Sequence, residues 1–216
     1  MKRETWGLII IGFIFLLIGV LFAGIGWWLG NQAEALAQKP VFTMASLATS
    51  PPGQAGTLEG KIAERNPLQF RTFVAYFSER YEGEDCDDDG CDSIWTEIER
   101  QAPPLLLDLP AGRLQVVNAG YQLESLPVTW QTSDDLVEYQ TVRYRGFEIG
   151  SPVFVVGRTA RAGDAPAFTA ELIAGGDRAS YLAGQRFEAR LFFWLGTLFS
   201  LIGAGAIGWF LYKLAR

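Results

Sequence analysis

The chain has 216 residues, 49% hydrophobic and 19% charged, with 7 Trp, 15 Phe, 2 Cys and no His, and a formal net charge of −6. That composition is too apolar for an ordinary soluble domain. The lack of His removes Ser-His-Asp and Cys-His nucleophile systems and the usual zinc sites, and no basic stripe is present to neutralise nucleic-acid phosphates.

Trp6 to Leu29 (WGLIIIGFIFLLIGVLFAGIGWWL) holds no charged residue. It exceeds the roughly 20 apolar residues that cross a hydrocarbon core about 30 Å thick. Trp6, Trp27 and Trp28 lie near its ends, where amphipathic rings suit the headgroup level. A transmembrane helix is predicted over 6–29. A cleaved signal peptide is the alternative, with Lys2 and Arg3 as a basic start and Ala35-Leu36-Ala37 as a small-residue cleavage site. The apolar run is longer than the roughly 7–15 residues of a signal core, which favours a retained anchor.

Residues 30–50 read as a tether. Ala33 to Gln38 extends the first helix, and Lys39-Pro40 ends it. Ser50-Pro51-Pro52-Gly53 is a strong breaker, so a folded domain is expected over 51–176. Leu58 to Ile62, Arg71 to Tyr81, Ile94 to Ile98, Leu105 to Leu107, Arg113 to Val117, Pro152 to Arg158 and Phe168 to Ile173 read as short strands. This pattern predicts a mainly-β domain, a small barrel or sandwich, and an open five-stranded barrel of the OB type fits the count. Leu126 to Tyr144, with Asp134, Asp135 and Glu138, reads as an insertion or a long edge ribbon. The adjacent acids Asp134 and Asp135 read as a solvated turn.

Residues 84–97, EDCDDDGCDSIWTE, contain the opening half of a calcium loop, Asp85-x-Asp87-x-Asp89-Gly90. An EF-hand requires a bidentate Glu at position 12 and flanking helices. Position 12 is Thr96, Glu97 comes one residue late, and the flanks read as strands. Asp85, Asp87 and Asp89 remain weak cation ligands at most; no cofactor is expected. Cys86 and Cys91 enclose four residues at the tip of a long hairpin. Outside the cytoplasm they form a disulfide; a soft-metal pair is the alternative. Seven acids lie in residues 82–92, and without them the region between the helices is nearly balanced in charge.

Asp177 to Arg190 reads as a short juxtamembrane helix that runs straight into a second uncharged stretch, Leu191 to Tyr212, predicted as a transmembrane helix over 191–214. The domain is therefore expected close against the bilayer, held at both ends. Lys2 and Arg3 before the first helix, with Lys213 and Arg216 after the second, place both termini in the cytoplasm and residues 31–190 outside. Small residues mark both helices: Gly19, Ala23, Gly26 and Gly30 in the first, Gly196, Ser200, Ala204 and Gly208 in the second. Such ridges let helix backbones approach closely. They serve an intramolecular hairpin, self-association, or contact with another membrane protein.

Three segments carry a family resemblance: Pro51-Pro-Gly-x-x-Gly-x-Leu-Glu-Gly60, Pro103-Pro-Leu-Leu-Leu-Asp-x-x-x-Gly112-x-Leu-x-Val116, and Phe147-Glu-Ile-Gly-x-Pro-Val-Phe-Val-Val-Gly157. Their order between two membrane helices resembles the GIDE-type, or beside-a-membrane, domain of mitochondrial membrane E3 ubiquitin ligases and bacterial relatives, over roughly residues 50–216. The resemblance implies a two-pass topology, a membrane-apposed β-domain and a role in membrane or organelle organisation. It also attaches a ubiquitin-transferase label. A RING finger needs about eight Cys/His ligands, and 2 Cys with no His do not supply them. The expectation is a non-catalytic binding or scaffolding protein, with the bilayer and either another membrane protein or a second copy as partners. An accessory subunit of a membrane complex is the other reading.

Overall fold

The computed structural model describes residues 3–87, 90–132 and 140–214. Helix α1 (Arg3–Gln38) and short helix α2 (Met44–Thr49) come first. Ten strands follow: β1 (Ala55–Ile62), β2 (Phe73–Asp87), β3 (Gly90–Gln101), β4 (Leu105–Leu109), β5 (Gly112–Val116), β6 (Gln122–Glu124), β7 (Val128–Gln131), β8 (Val142–Glu148), β9 (Pro152–Ala162) and β10 (Ala165–Gly175). Helix α3 (Arg178–Leu214) comes last. The chain divides into two compact units, Met1–Gln38 with Ala179–Arg216, and Lys39–Arg178. Two long apolar helices thus flank a mainly-β region. Lys2, Asp89, Asp134, Asp135, Glu138 and Arg216 lie outside the described residues, as does the side chain of Trp6.

Each long helix contains a stretch long and apolar enough to cross a bilayer, Ile9–Gln38 and Arg178–Lys213. The helix former-rich run Ala33 to Ala37 carries α1 on to Gln38, and Lys39-Pro40 stops it. The segments expected separately at 177–190 and 191–214 are one continuous element, α3.

In the β unit, one sheet has the strand order β5-β4-β1-β9-β10-β6, and β5 also pairs with β10. β1, β4, β5, β10 and β9 therefore form a hydrogen-bonded circuit, to which β10 also joins β6 in parallel. The β5–β10 step is parallel (Ala167↔Gln115, Phe168↔Val116), and the other four are antiparallel. Alternation drives the burial: Leu105, Leu107 and Leu109 of β4 point inward, Leu106 and Asp108 less so. Leu58, Ile62, Leu114, Val116, Val155, Phe168 and Ile173 join them in one core, each such burial worth about 1.5–3 kcal/mol. A Cβ at Gly157 would run into the Thr169 carbonyl and lie 2.9 Å from the Phe168 ring. Glycine there lets β9 approach β10 beside its bulge at Ala170/Leu172.

Two asparagines act as pieces of strand. The Asn118 side chain donates to the Ala170 carbonyl and accepts the Ala170 N–H, each at 2.8 Å. Buried Asn66 does the same for Leu106, at 2.8 and 2.7 Å, and also donates to the Ala63 carbonyl.

The tether expected over 30–50 is corrected. Residues 30–38 belong to α1, and the chain then joins the β unit well before Pro51. Val41 bridges Thr57, Phe42 N–H donates to the Thr57 carbonyl at 2.8 Å, and Thr57 N–H donates to the Pro40 carbonyl at 2.9 Å. Thr43 and Ser46 form a capping box that starts α2. Phe42 and Leu47 are buried in the core. The apolar residues of this segment have a sheet to cover, which a composition reading treats as linker.

A second sheet, ordered β3-β2-β8-β7, is inserted in two pieces, β2–β3 between β1 and β4 and β7–β8 between β6 and β9. Val74, Ala75 and Phe147 root it in the common core. Beyond that root, β2 and β3 continue as a hairpin to Asp87↔Gly90.

Candidate interaction site

The β2–β3 hairpin adds little to the core. β3 buries none of its side chains, and β2 is exposed from Glu84 onward. A bulge at Ile98 interrupts the β3 ladder, a feature that blunts an exposed edge against promiscuous pairing. At the tip, Cys86 and Cys91 stand opposite one another and are disulfide-bonded. Asp85 faces Asp92 one step further in. Like charges placed directly opposite destabilise a strand pair, so the cross-link holds together an end that its own charge opposes.

The calcium-loop reading fails in the structure as in the sequence, since its flanks are β2 and β3. Of the weak cation ligands, Asp87 accepts the Gly90 N–H at 3.0 Å, Asp85 faces Asp92 across the hairpin, and Asp89 lies outside the described residues. Glu84, Cys86 and Cys91 do bring one carboxylate oxygen and two sulfurs within 4.8 Å. Those sulfurs are joined to each other and so are not thiolate ligands.

Nearer its root, the inserted sheet carries rings and arginines on both faces. One face gathers Phe70, Tyr76, Trp130 and Tyr144, with Phe70 stacked on Tyr144 at 4.2 Å and Trp130 5.5 Å from Tyr144. Burial, followed by the nearby Glu99 carboxylate, pushes the Tyr76 hydroxyl up to about 12. The Arg71 guanidinium lies over Trp130, 3.6 Å from the ring centroid. On the other face Arg143 lies 3.9 Å over Trp95 and pairs with Glu79 at 2.7 Å. Hydrogen bonds from Arg100 hold the Glu97 carboxyl below its ordinary range, and the pairing raises Arg100 in turn. Elsewhere in the unit, burial pushes the Tyr121 hydroxyl far up; it donates to the Pro103 carbonyl at 2.7 Å. The sequence reading missed the ring cluster. The signal was present in the aromatic-rich run from Phe70 to Tyr81 and the isolated Trp130.

In α1 the expected ridge lies at the contact as far as Gly26, but α3 packs through a register different from its expected four-residue ridge. Among the described side chains, Gly12, Gly19, Gly26 and Ala33 are the buried positions of α1, and Leu182, Ala189, Gly196, Gly203 and Phe210 those of α3. Both series recur every seven residues, the spacing that keeps a left-handed helix pair in contact. A Cβ at Gly19 would meet Ser200 and lie 2.7 Å from the Gly196 carbonyl; one at Gly196 would meet Ala23 and lie 2.6 Å from the Gly19 carbonyl. Gly19, Ala23, Gly26, Gly196 and Ser200 therefore sit at the contact, while Gly30 reaches only ordinary van der Waals distance, 3.8 Å from Ala189. Ala204 is exposed, and Gly208 has nothing within 4 Å. Four-residue steps drift about 40° each around a helix of 3.6 residues per turn, so that ridge leaves the contact after Ser200.

The chain enters and leaves the β unit at one place. The Glu59 carboxylate accepts the Arg178 N–H at 2.8 Å, and the Arg178 guanidinium donates to the Lys39 carbonyl at 3.1 Å. Comparison with family models, curated proteins and solved structures finds no match to this chain.

Proposed function

We propose that this is a two-pass membrane protein whose β unit is a non-catalytic binding or scaffolding module outside the cytoplasm. In this reading the five-strand circuit is an OB-type barrel, and the β2–β3 hairpin is its binding element. The observation that carries the proposal is that hairpin: twelve residues of β3 without a buried side chain, closed by a disulfide and strongly acidic at the end. An ordered excursion of this kind offers surface rather than core.

Membrane crossing is supported by the outward placement of Ile10, Phe13, Leu17, Leu21, Leu198 and Leu201, with Trp27, Trp28 and Trp194 exposed toward one end of the pair. Past Leu29 the helices stay in contact through Ala33, Leu182 and Ala189, and Arg186 pairs with Glu34 at 3.3 Å. If the apolar stretches span, the nine residues of α1 beyond Leu29 make a stalk of roughly 13 Å before Lys39. The basic flanks give both termini to the cytoplasm, which suits a disulfide on the other side.

The GIDE-type resemblance is part of the proposal only as architecture. Its three segments fall on β1, on β4–β5 and on the passage from β8 into β9, so they belong to the framework rather than to the hairpin. Ligase chemistry is left out, because the 2 Cys are bonded to each other and there is no His. The accessory-subunit reading is favoured by the outward small residues Ala204, Gly205 and Gly208, which offer α3 a close approach to another helix.

Crosslinking in native membranes tests the binding role. Replacing residues 84–92 with a two-residue turn should remove the crosslinked species while the protein stays in the membrane after alkaline extraction. Unchanged crosslinks reject the hairpin as the binding element; release into the soluble fraction rejects the membrane reading.

A further inference from the structure

The two ends of the inserted sheet differ in chemistry. At the root, Phe70 and Phe73 form a bridge around a two-residue turn, Arg71-Thr72, with Phe73 N–H donating to the Phe70 carbonyl at 2.8 Å. Arg71 has φ 48. Two-residue turns with positive φ at the first position favour Gly there, and an Arg in that conformation is an outlier that points to a role for the side chain. Its guanidinium lies face-on to Trp130 at 3.6 Å, is exposed, and makes no ion pair among the described residues. A stacked guanidinium keeps its N–H edge free for a carboxylate.

At the far end stand Glu84, Asp85 and Asp92, all exposed. The disulfide fixes them in one geometry, which lowers the ordering cost of binding. The extended strand from Phe73, beside the Arg71-Thr72 turn, to Asp87 spans roughly 45–50 Å. The two ends of one chain therefore cannot meet. Two hairpins laid antiparallel bring each acidic tip to the other's Arg71, giving two identical contacts about a two-fold axis and a closed pair.

We propose that the Arg71–Trp130 platform is a carboxylate-binding site whose occupant is the disulfide-closed tip of a second copy of this chain. This inference rests on the reading of the hairpin as a binding element and names its partner.

The experiment is sedimentation of the full-length protein in detergent. The wild-type chain should associate to a dimer at low salt, with an affinity that falls as salt screens the contacts. Arg71→Gly removes the guanidinium and supplies the residue the turn prefers, so folding is preserved. It should weaken association about tenfold or more, and Asp85→Asn/Asp92→Asn should do the same. Arg71→Glu should weaken it further, and Arg71→Glu with Asp92→Arg should recover most of it. A monomeric wild type overturns the proposal, as does association indifferent to salt and to these variants. Arg71→Gly that lowers Tm without changing association shows Arg71 only covering Trp130, and also overturns it. None of these results bears on crosslinks to a different protein through the tip, so the broader binding reading is judged separately.

Discussion

The helix pair and the β unit are built inside out relative to each other. Between α1 and α3 the closest approaches are made by Gly12, Gly19, Gly26, Gly196 and Gly203, with Phe15 and Phe22 meeting Phe192 and Phe199 across the pair, while most of the Ile, Leu and Trp side chains face outward. In the β unit Leu58, Leu107, Phe168 and Ile173 are fully buried, and Glu, Asp and Arg face outward. The hydrophobic effect rewards removing apolar surface from water. Where the surroundings are themselves apolar, that drive vanishes and close backbone packing takes over. The difference is the one expected if the two units face different solvents, as the proposed membrane reading holds, and each can be tested by a change harmless in the other.

The largest expected effect is in the β unit. Phe168→Ala should cost about 3–5 kcal/mol through lost burial and a residual cavity, read as a fall in the denaturation midpoint of the β unit. Leu201→Ala, equally apolar but outward on α3, should leave that midpoint unchanged. The helix pair should respond to the opposite kind of change. Gly19→Leu or Gly196→Leu forces the backbones apart and should cost about 1–3 kcal/mol, read as lost proximity of spin labels on α1 and α3. Gly208→Leu, with open space around it, should leave the labels where they are; equal loss from both would break the seven-residue register.

Smaller effects divide the β unit itself. Cys86→Ser/Cys91→Ser removes a cross-link worth about 2 kcal/mol in the chain-entropy model. Hydrogen exchange should quicken over residues 84–93 and stay unchanged at Leu107 and Phe168. Uniform quickening would show that the tip is coupled to the core. The smallest effect is at Glu97. Its folded-state carboxyl is lowered by Arg100, so the pair stabilises above the ordinary Glu value of 4.5 and that contribution fades as pH falls through the lowered folded value. Both side chains are substantially exposed, and Arg100→Met should cost at most about 0.5 kcal/mol at neutral pH and nothing at low pH. A cost that persists in acid would mean the Arg100 stem packs on Phe77, over which it lies, rather than pairing.

Much of this was legible in the chain. Uncharged runs above twenty residues mark the helices because apolar length is local information. The hairpin was legible from strand-like flanks around a six-residue Cys-to-Cys turn, and Cys86 with Cys91 followed from it. The tether was misread because Val41, Phe42 and Leu47 are separated by polar and small residues and declare themselves only against β1 and β10. The α3 ridge was misread because its four-residue series, Gly196 to Gly208, shares Gly196 with the seven-residue spacing, and only the partner helix selects between them; Gly19, Ala23 and Gly26 of α1 do lie at the contact.

The sequence by itself determined the two long apolar helices, most of the strands of the larger sheet and the hairpin, where the negative charge lies and which two sulfurs can join, since each depends on neighbours within a few residues. Tertiary structure alone decided that β5 meets β10 in parallel, that Asn66 and Asn118 stand in for strand, that Arg71 lies on Trp130, and which glycines touch. Those are contacts between residues tens of positions apart, set by how the surfaces fit once the local elements exist.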